Sequence, residues 1–324
     1  MPPKARSVET TLAQMNALKG MGPAVIAGEL LKYVASKSNL VIAKAAEIAR
    51  EAGIQSLQPE LQAAFWRLME KPTETDKGCG AKQAIANALY EMGCDADRLF
   101  LAGIRHVQLE GAWGGPVDTA AELRGICALG LVRMAYRDVM TELADLLGDE
   151  SEQARIMAAR AIAYAGRPEG QLLLRLKIRT GDKSPTVTAE CLIALANLAR
   201  AKALPFIQGY LDALDPTVAE GAAMAIGEMR DPTALALLTE RWNHDGFAES
   251  RMALALPIAL SRLPQSIDFL LAALPDVAEP VAARILEALR IYRHDTAITQ
   301  RIRTGVDSRS APALTATFHK FFPA

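Results

Sequence analysis

The sequence predicts an all-α fold, a right-handed α-solenoid (superhelix) of about nine stacked helix pairs. Three observations predict it. The first is a repeat. From Val187, apolar or small residues follow four, five, seven, eight, nine and eleven places on, at Cys191, Leu192, Ala194, Leu195, Ala196 and Leu198. The same template starts at Ala81, Ala154 and Val218, with looser copies at Val41, Ala121, Met252, Val281 and Ala311. Successive starts lie 40, 40, 33, 33, 31, 34 and 29 residues apart. That is the period of arrays in which one helix pair buries its apolar face only by stacking on its neighbours. The second observation is composition. The chain is 51% hydrophobic but only 5% aromatic, and small side chains let helix axes approach more closely than a sheet-forming composition would. The third is turn chemistry. Asp215-Pro216 and Asp231-Pro232 place an N-cap acid before a first-turn proline, and Ser184-Pro185 repeats the device with serine.

Residues 1–22 read as an N-terminal capping segment, and 23–324 as one repeat domain. Each unit is a helix A, a turn, and a helix B that carries the template. The B helices are expected at 39–52, 80–92, 118–133, 152–165, 186–198, 217–229, 249–263, 279–292 and 310–321. Their A partners fall near 23–35, 57–70, 95–106, 137–147, 169–179, 203–213, 233–243, 266–274 and 296–305. Thr119 and Glu122 have capping-box spacing at the third B helix. Gly53, Gly93 and Gly166 stand twelve places after a template start, where a left-handed C-terminal cap favours glycine. Phe318, Phe321 and Phe322 are expected to cover the last unit.

Two consecutive units break the period. Their extra residues, 71–80 and 107–118, both lie between helix A and helix B. Insertions at equivalent points of adjacent repeats emerge on one edge, about 10 Å apart, so contact between them is expected. The second holds Trp113 beside Gly114, Gly115 and Pro116, a composition that favours a defined conformation. His106, Gln108, Glu110, Asp118 and Arg124 flank that tryptophan, and Lys77 comes from the first insertion with Asp76 and Cys79. This cluster is the candidate edge site. The alternative is that Trp113 packs over its own loop as a small core while the charges pair or stay solvated. Cys79 becomes nucleophilic only if a cation or a helix start lowers its pKa.

Helix B lines the concave side of such stacks. The template places facing that side include Cys127, Leu131, Tyr164, Ile193, Met224 and Ile258. A contiguous apolar strip there marks a partner surface, and the alternative is strong curvature that closes the groove over these side chains. On the first reading Tyr164, Ile193, Met224 and Ile258 join the candidate binding residues.

Several function classes find no support. A formal net charge of −1 lacks the basic excess of a nucleic-acid binder. The four cysteines show no zinc-type spacing. His244-Asp245 and His294-Asp295 fall near turns rather than at matched helix positions, so no metal and no cofactor is expected. Phosphate-cradling, HExxH and triad arrangements are missing from the sequence. It shows no signal-peptide run and no apolar run of bilayer length, which predicts a cytoplasmic protein.

The spacing of small apolar residues, with turns such as Asp215-Pro216-Thr217-Val218, resembles HEAT repeats, and the units from 154 onward are similar to the phycobilisome-lyase type. The resemblance spans roughly 23–322. It implies an interaction scaffold that holds a protein or peptide segment along its concave face, with 71–80 and 107–118 completing one edge. The alternative it implies is a HEAT-repeat enzyme, of lyase or hydroxylase type, acting around Trp113. HEAT units often carry an arginine directly after the template start, and in the frame read here only Arg155 does so. The paired His-Glu dipeptides of the hydroxylase relatives are absent.

Overall fold

The computed structural model describes residues 3–18, 20–244, 247–309 and 311–323. The chain forms two compact units, Met1–Ala165 and Gly166–Ala324. Each is a stack of helix pairs, and the fold is an all-α solenoid apart from one hairpin.

In the first unit, α1 (Pro3–Asn16) precedes the pair α2 (Pro23–Val34) and α3 (Asn39–Glu51). Next come α4 (Gln58–Glu70), the single turn α5 (Pro72–Thr75) and α6 (Gly80–Glu91). Helix α7 (Asp97–Ile104) leads through strands β1 (Leu109–Ala112) and β2 (Gly115–Asp118) into α8 (Ala121–Arg133). The pair α9 (Val139–Leu147) and α10 (Glu152–Ala165) ends the unit. The second unit holds α11 (Glu169–Thr180), α12 (Pro185–Ala199), a short α13 (Leu204–Ile207) flanked by 3-10 turns, and α14 (Pro216–Glu228). It continues with α15 (Pro232–His244), α16 (Ala248–Leu260), α17 (Pro264–Ala273), α18 (Glu279–Leu289), α19 (Thr296–Arg309) and α20 (Pro312–Phe321). B helices pack on successive B helices: α3, α6, α8 and α10 in one unit, and α12, α14, α16, α18 and α20 in the other. Phe318 and Phe322 stack at 5.0 Å and are buried in the last pair.

Burial corrects the repeat frame at two helices. In α3 the buried places are Val41, Ile42, Ala45, Ala46, Ile48 and Ala49, and α6 repeats them from Ala81. In α8 the same spacing runs Leu123, Arg124, Cys127, Ala128, Gly130 and Leu131, so this copy starts at Leu123, not Ala121. In α16 the buried Leu254, Ala255, Pro257 and Ile258 place the start at Ser250, not Met252. Backbone geometry agrees. Twelve residues after the starts at 41, 81, 123, 154, 218 and 250 stand Gly53, Gly93, Ala135, Gly166, Arg230 and Arg262, all with positive φ. Alanine-rich helices offer several acceptable registers, and a buried arginine at Arg124 hid the true one.

The corrected frame moves three expected groove residues into the core. Cys127, Leu131 and Ile258 are fully buried stacking residues. Ile193 and Met224 remain half-buried, and Tyr164 is exposed. Half-buried Leu256, six places after Ser250, holds the position expected for Ile258.

The caps divide the same way. Asp215 accepts from the Thr217 amide at 2.9 Å, and Asp231 accepts from the Thr233 and Ala234 amides. Ser184 sits at the N-cap of α12 without a side-chain cap bond; Asp182 accepts from its amide instead, at 2.8 Å. Thr119 makes no capping box. Helix α8 starts two residues later, and the threonine hydroxyl turns to the hairpin.

Candidate functional site

The two insertions meet, as their repeat positions required. The first is mostly compact, with the α5 turn and a left-handed Cys79 (φ 59°) leading into α6. The second is an antiparallel hairpin in which Leu109 pairs with Asp118 and Ala112 with Gly115. These are the only strands among the described residues. Gly114 and Gly115 both have positive φ, which glycine adopts without a Cβ clash and which closes the tip beside Trp113.

Buried polar groups pin the hairpin base. The Gln108 side chain donates to the Asp76 carbonyl at 2.8 Å and to Glu110 at 2.6 Å. One Glu110 oxygen also accepts from the Gly78 amide at 2.7 Å and from the Thr119 hydroxyl at 3.0 Å. Burial alone would raise the Glu110 pKa, but these hydrogen bonds and nearby Lys77 hold it below its ordinary value. His106 lies half-buried with Nε2 3.2 Å from the Gln108 side-chain oxygen Oε1, and burial lowers its pKa.

Asp118 and Arg124 belong to a device of the repeat. Arg124 donates to Asp118 at 2.6 Å, to Asp149 at 2.9 Å and to the His106 carbonyl at 2.9 Å. Burial is the largest influence and opposes both charges. Their mutual hydrogen bond, the Ala120 and Gln108 amides on Asp118 and the Asp149 carboxylate beside Arg124 together outweigh it, so the Asp118 pKa is lowered and that of Arg124 raised. One repeat earlier, Lys82 and Asp76 are fully buried and pair at 3.0 Å, while Asp76 also accepts from the Ala81 and Lys82 amides. One repeat later, Arg155 donates to the Asp149 and Glu150 carbonyls. In every case the acid stands five residues before the template start and the cation one residue after it. Asp118, Asp149 and Asp182 each accept from the amide two residues on, at 3.0, 2.7 and 2.8 Å, and Ser36 does the same with Ser38. Lys82 and Asp149 escaped the sequence reading. The recurring aspartate at 76, 118, 149 and 182 was the signal that would have found them, and in the corrected frame Arg124, Arg155 and Arg251 all follow a template start.

What the pins leave outside is apolar. Trp113 is 107% exposed at the hairpin tip, so it forms no small core. Val107, Leu109 and Val117 are exposed on the hairpin and its approach, and Lys77, near Glu110, is exposed too. Cys79 is fully buried, and burial pushes its thiol up to about 12, the reverse of what a nucleophile needs. His294 is exposed next to Arg293; Asp245 lies outside the described residues. Among the described residues no three His, Cys, Asp or Glu side chains converge as a metal site would require.

Residues 172–259 match the family model of HEAT repeats. No curated protein matches the sequence. Solved structures similar to this chain include the following two. The complex of CpcE and CpcF of phycocyanin lyase from Nostoc sp. PCC7120 is 16% identical, covering 77% of this chain and 93% of that one, with a TM-score of 0.41. Human deoxyhypusine hydroxylase in complex with glycerol is 17% identical, covering 83% of this chain and 98% of that one, with a TM-score of 0.35. No helix among the described residues is long and apolar enough to cross a membrane.

Proposed function

We propose that this HEAT-repeat chain is a protein-interaction scaffold without a catalytic role, and that it engages a protein or peptide segment in the cytoplasm. The observation that carries the reading is Trp113. A tryptophan in water gives up the area it would otherwise bury, and this one sits on a hairpin fixed from below by Gln108, Glu110, Thr119, Asp118 and Arg124. An aromatic side chain carried on a pinned hairpin loses less backbone entropy on binding than one on a free loop, which suits an interface hot spot. Val107, Leu109, Val117 and Lys77 complete that edge.

The second unit carries a candidate surface of its own on its B-helix face. In the second unit Ile193, Met224 and Leu256 are half-buried on successive B helices. A groove of about 430 Å³ opens over the later B helices of this unit, with Met252, Ala253, Ala283 and Phe321 in its wall beside the charged Glu220, Glu249, Arg284 and Glu287. A bound segment would lay apolar side chains on Ile193, Met224 and Leu256. The test uses wild-type, Trp113→Ser and Met224→Glu proteins as baits on a native lysate, each checked by thermal melt. A partner held by the wild type and lost by the folded Trp113→Ser bait supports the hairpin edge. A partner recovered equally by all three baits contradicts both surfaces.

A further inference from the structure

Helix α11 buries one stripe, Gly170, Leu174 and Ile178, against its unit. Its other stripe is Leu172, Arg175, Leu176 and Arg179, at positions i, i+3, i+4 and i+7, which fall on one helix face along about 10 Å. The two leucines on this stripe are 71% and 63% exposed. An amphipathic helix in a stack normally spends its second stripe on polar side chains, so a leucine pair left in water is a surface without its partner. The cations between them are ordered. The Arg175 and Arg179 guanidiniums lie 4.5 and 5.0 Å from the centre of one ring, Phe206 on α13. Among the described residues neither forms an ion pair with a carboxylate. Stacking on an aromatic face fixes a guanidinium and leaves its N–H groups directed at solvent.

We propose that this face docks an acidic amphipathic segment of a partner protein, with two apolar side chains seated on Leu172 and Leu176 and carboxylates meeting Arg175 and Arg179. Charge complementarity selects the occupant. Nucleic acid offers phosphates but nothing for the leucines, and stable membrane attachment needs a larger apolar face or a second anchor. The surface is separate from the Trp113 hairpin.

The test is selection of a random-peptide display library on the full chain, followed by titration of the enriched peptides. The expected peptides combine Asp or Glu with Leu, Ile or Phe. Their affinity falls by about tenfold or more in Arg175→Gln/Arg179→Gln and in Leu172→Ser/Leu176→Ser. It weakens as salt rises and is unchanged in Trp113→Ser, so failure here is distinguishable from failure of the hairpin reading. Leu172, Leu176 and Arg179 are exposed and Arg175 is half-buried, so the leucine variant should melt with the wild type. The arginine variant, which gives up two contacts with Phe206, should melt only slightly earlier. Three results would overturn the proposal: no enrichment, enriched peptides that bind both double variants undiminished, or wild-type protein that binds phosphatidylserine vesicles through this face instead.

Discussion

The two units hold their stacks together differently. In the first, three successive B helices carry a cation one place after the template start, Lys82, Arg124 and Arg155, each clasping the turn in front of it. In the second, α14 and α18 carry Ala219 and Ala282 at that place, and α16 alone of these three has a cation there, Arg251, which donates to the Trp242 carbonyl. At α14 close backbone approach takes the place of charge. A Cβ added at Gly221 would lie 2.4 Å from the Ala189 Cβ, and one at Gly227 2.2 Å from the Pro257 carbonyl oxygen. Small residues bring helices together but cannot hold a loop. Buried charge satisfies the backbone of a turn, so it occurs where an inserted hairpin must be fixed. The difference explains why the exposed tryptophan belongs to the first unit.

The largest effect that would break this comparison is expected at Asp76. Asp76→Ala leaves the buried Lys82 ammonium without its carboxylate, and uncompensated buried charge destabilises by about 3–5 kcal/mol. Chemical denaturation measures it. A loss under about 1 kcal/mol, within the range of an exposed pair, would show that the pin is not buried in solution. Asp76→Leu/Lys82→Met should recover much of the loss, because the charge then goes with its partner.

The matching change in the second unit is Gly227→Ala. Alanine is the better helix former, but its Cβ meets a backbone oxygen that no side-chain rotation can clear. Overpacking of this kind costs about 1–3 kcal/mol, and Ala225→Leu, at a fully buried place on the same helix, should cost a similar amount. An unchanged denaturation midpoint for either variant would mean that α14 and α16 do not approach as closely as described.

These pins also show what could be read before the structure. Most helix pairs were legible to within a few residues, because apolar spacing and proline–acid turns act locally. The A helix expected at 203–213 was not, since the chain there forms only the short α13 between 3-10 turns. The edge meeting of the insertions was legible too, since equivalent places in neighbouring repeats share an edge. The hairpin itself was not. Its four-residue strands follow no apolar alternation, and what fixes them is Gln108 reaching the Asp76 carbonyl across thirty-two residues of sequence. Nor was the burial of Cys127 and Ile258 legible, because alanines on either side of the true register fit the template equally well.

A smaller and local effect sharpens the contrast through pH. The Glu110 carboxylate is held below its ordinary value of 4.5, and Asp118 below its ordinary 3.8. A depressed carboxylate contributes stability that is full above the unfolded value and is lost as pH falls through the folded one. Acidification below about 4.5 should therefore loosen the hairpin before the second unit responds. Amide exchange at Gly78, whose N–H binds Glu110, should accelerate first. Simultaneous loosening of α14 would contradict a pin confined to the hairpin.

The smallest effect is expected at Arg230, which takes a positive φ of 53° twelve places after a template start, where Gly53, Gly93 and Gly166 stand in other units. Arg230→Gly removes a Cβ clash worth roughly 1–2 kcal/mol, partly offset by the greater freedom of glycine when unfolded. A net stabilisation under about 1 kcal/mol follows, and a loss of stability would place the helix end elsewhere.

The central claim is that Trp113 stands in water on a fixed base until a partner covers it. Acrylamide quenching of a Trp66→Phe protein tests this directly, since Trp242, the other remaining indole, is buried against Phe269. The free protein should show one freely quenched, water-like emission and one shielded emission. Adding the captured partner should shield the first and shift it to the blue. Two shielded emissions in the free protein, or a bound partner that leaves Trp113 as accessible as before, would contradict the account.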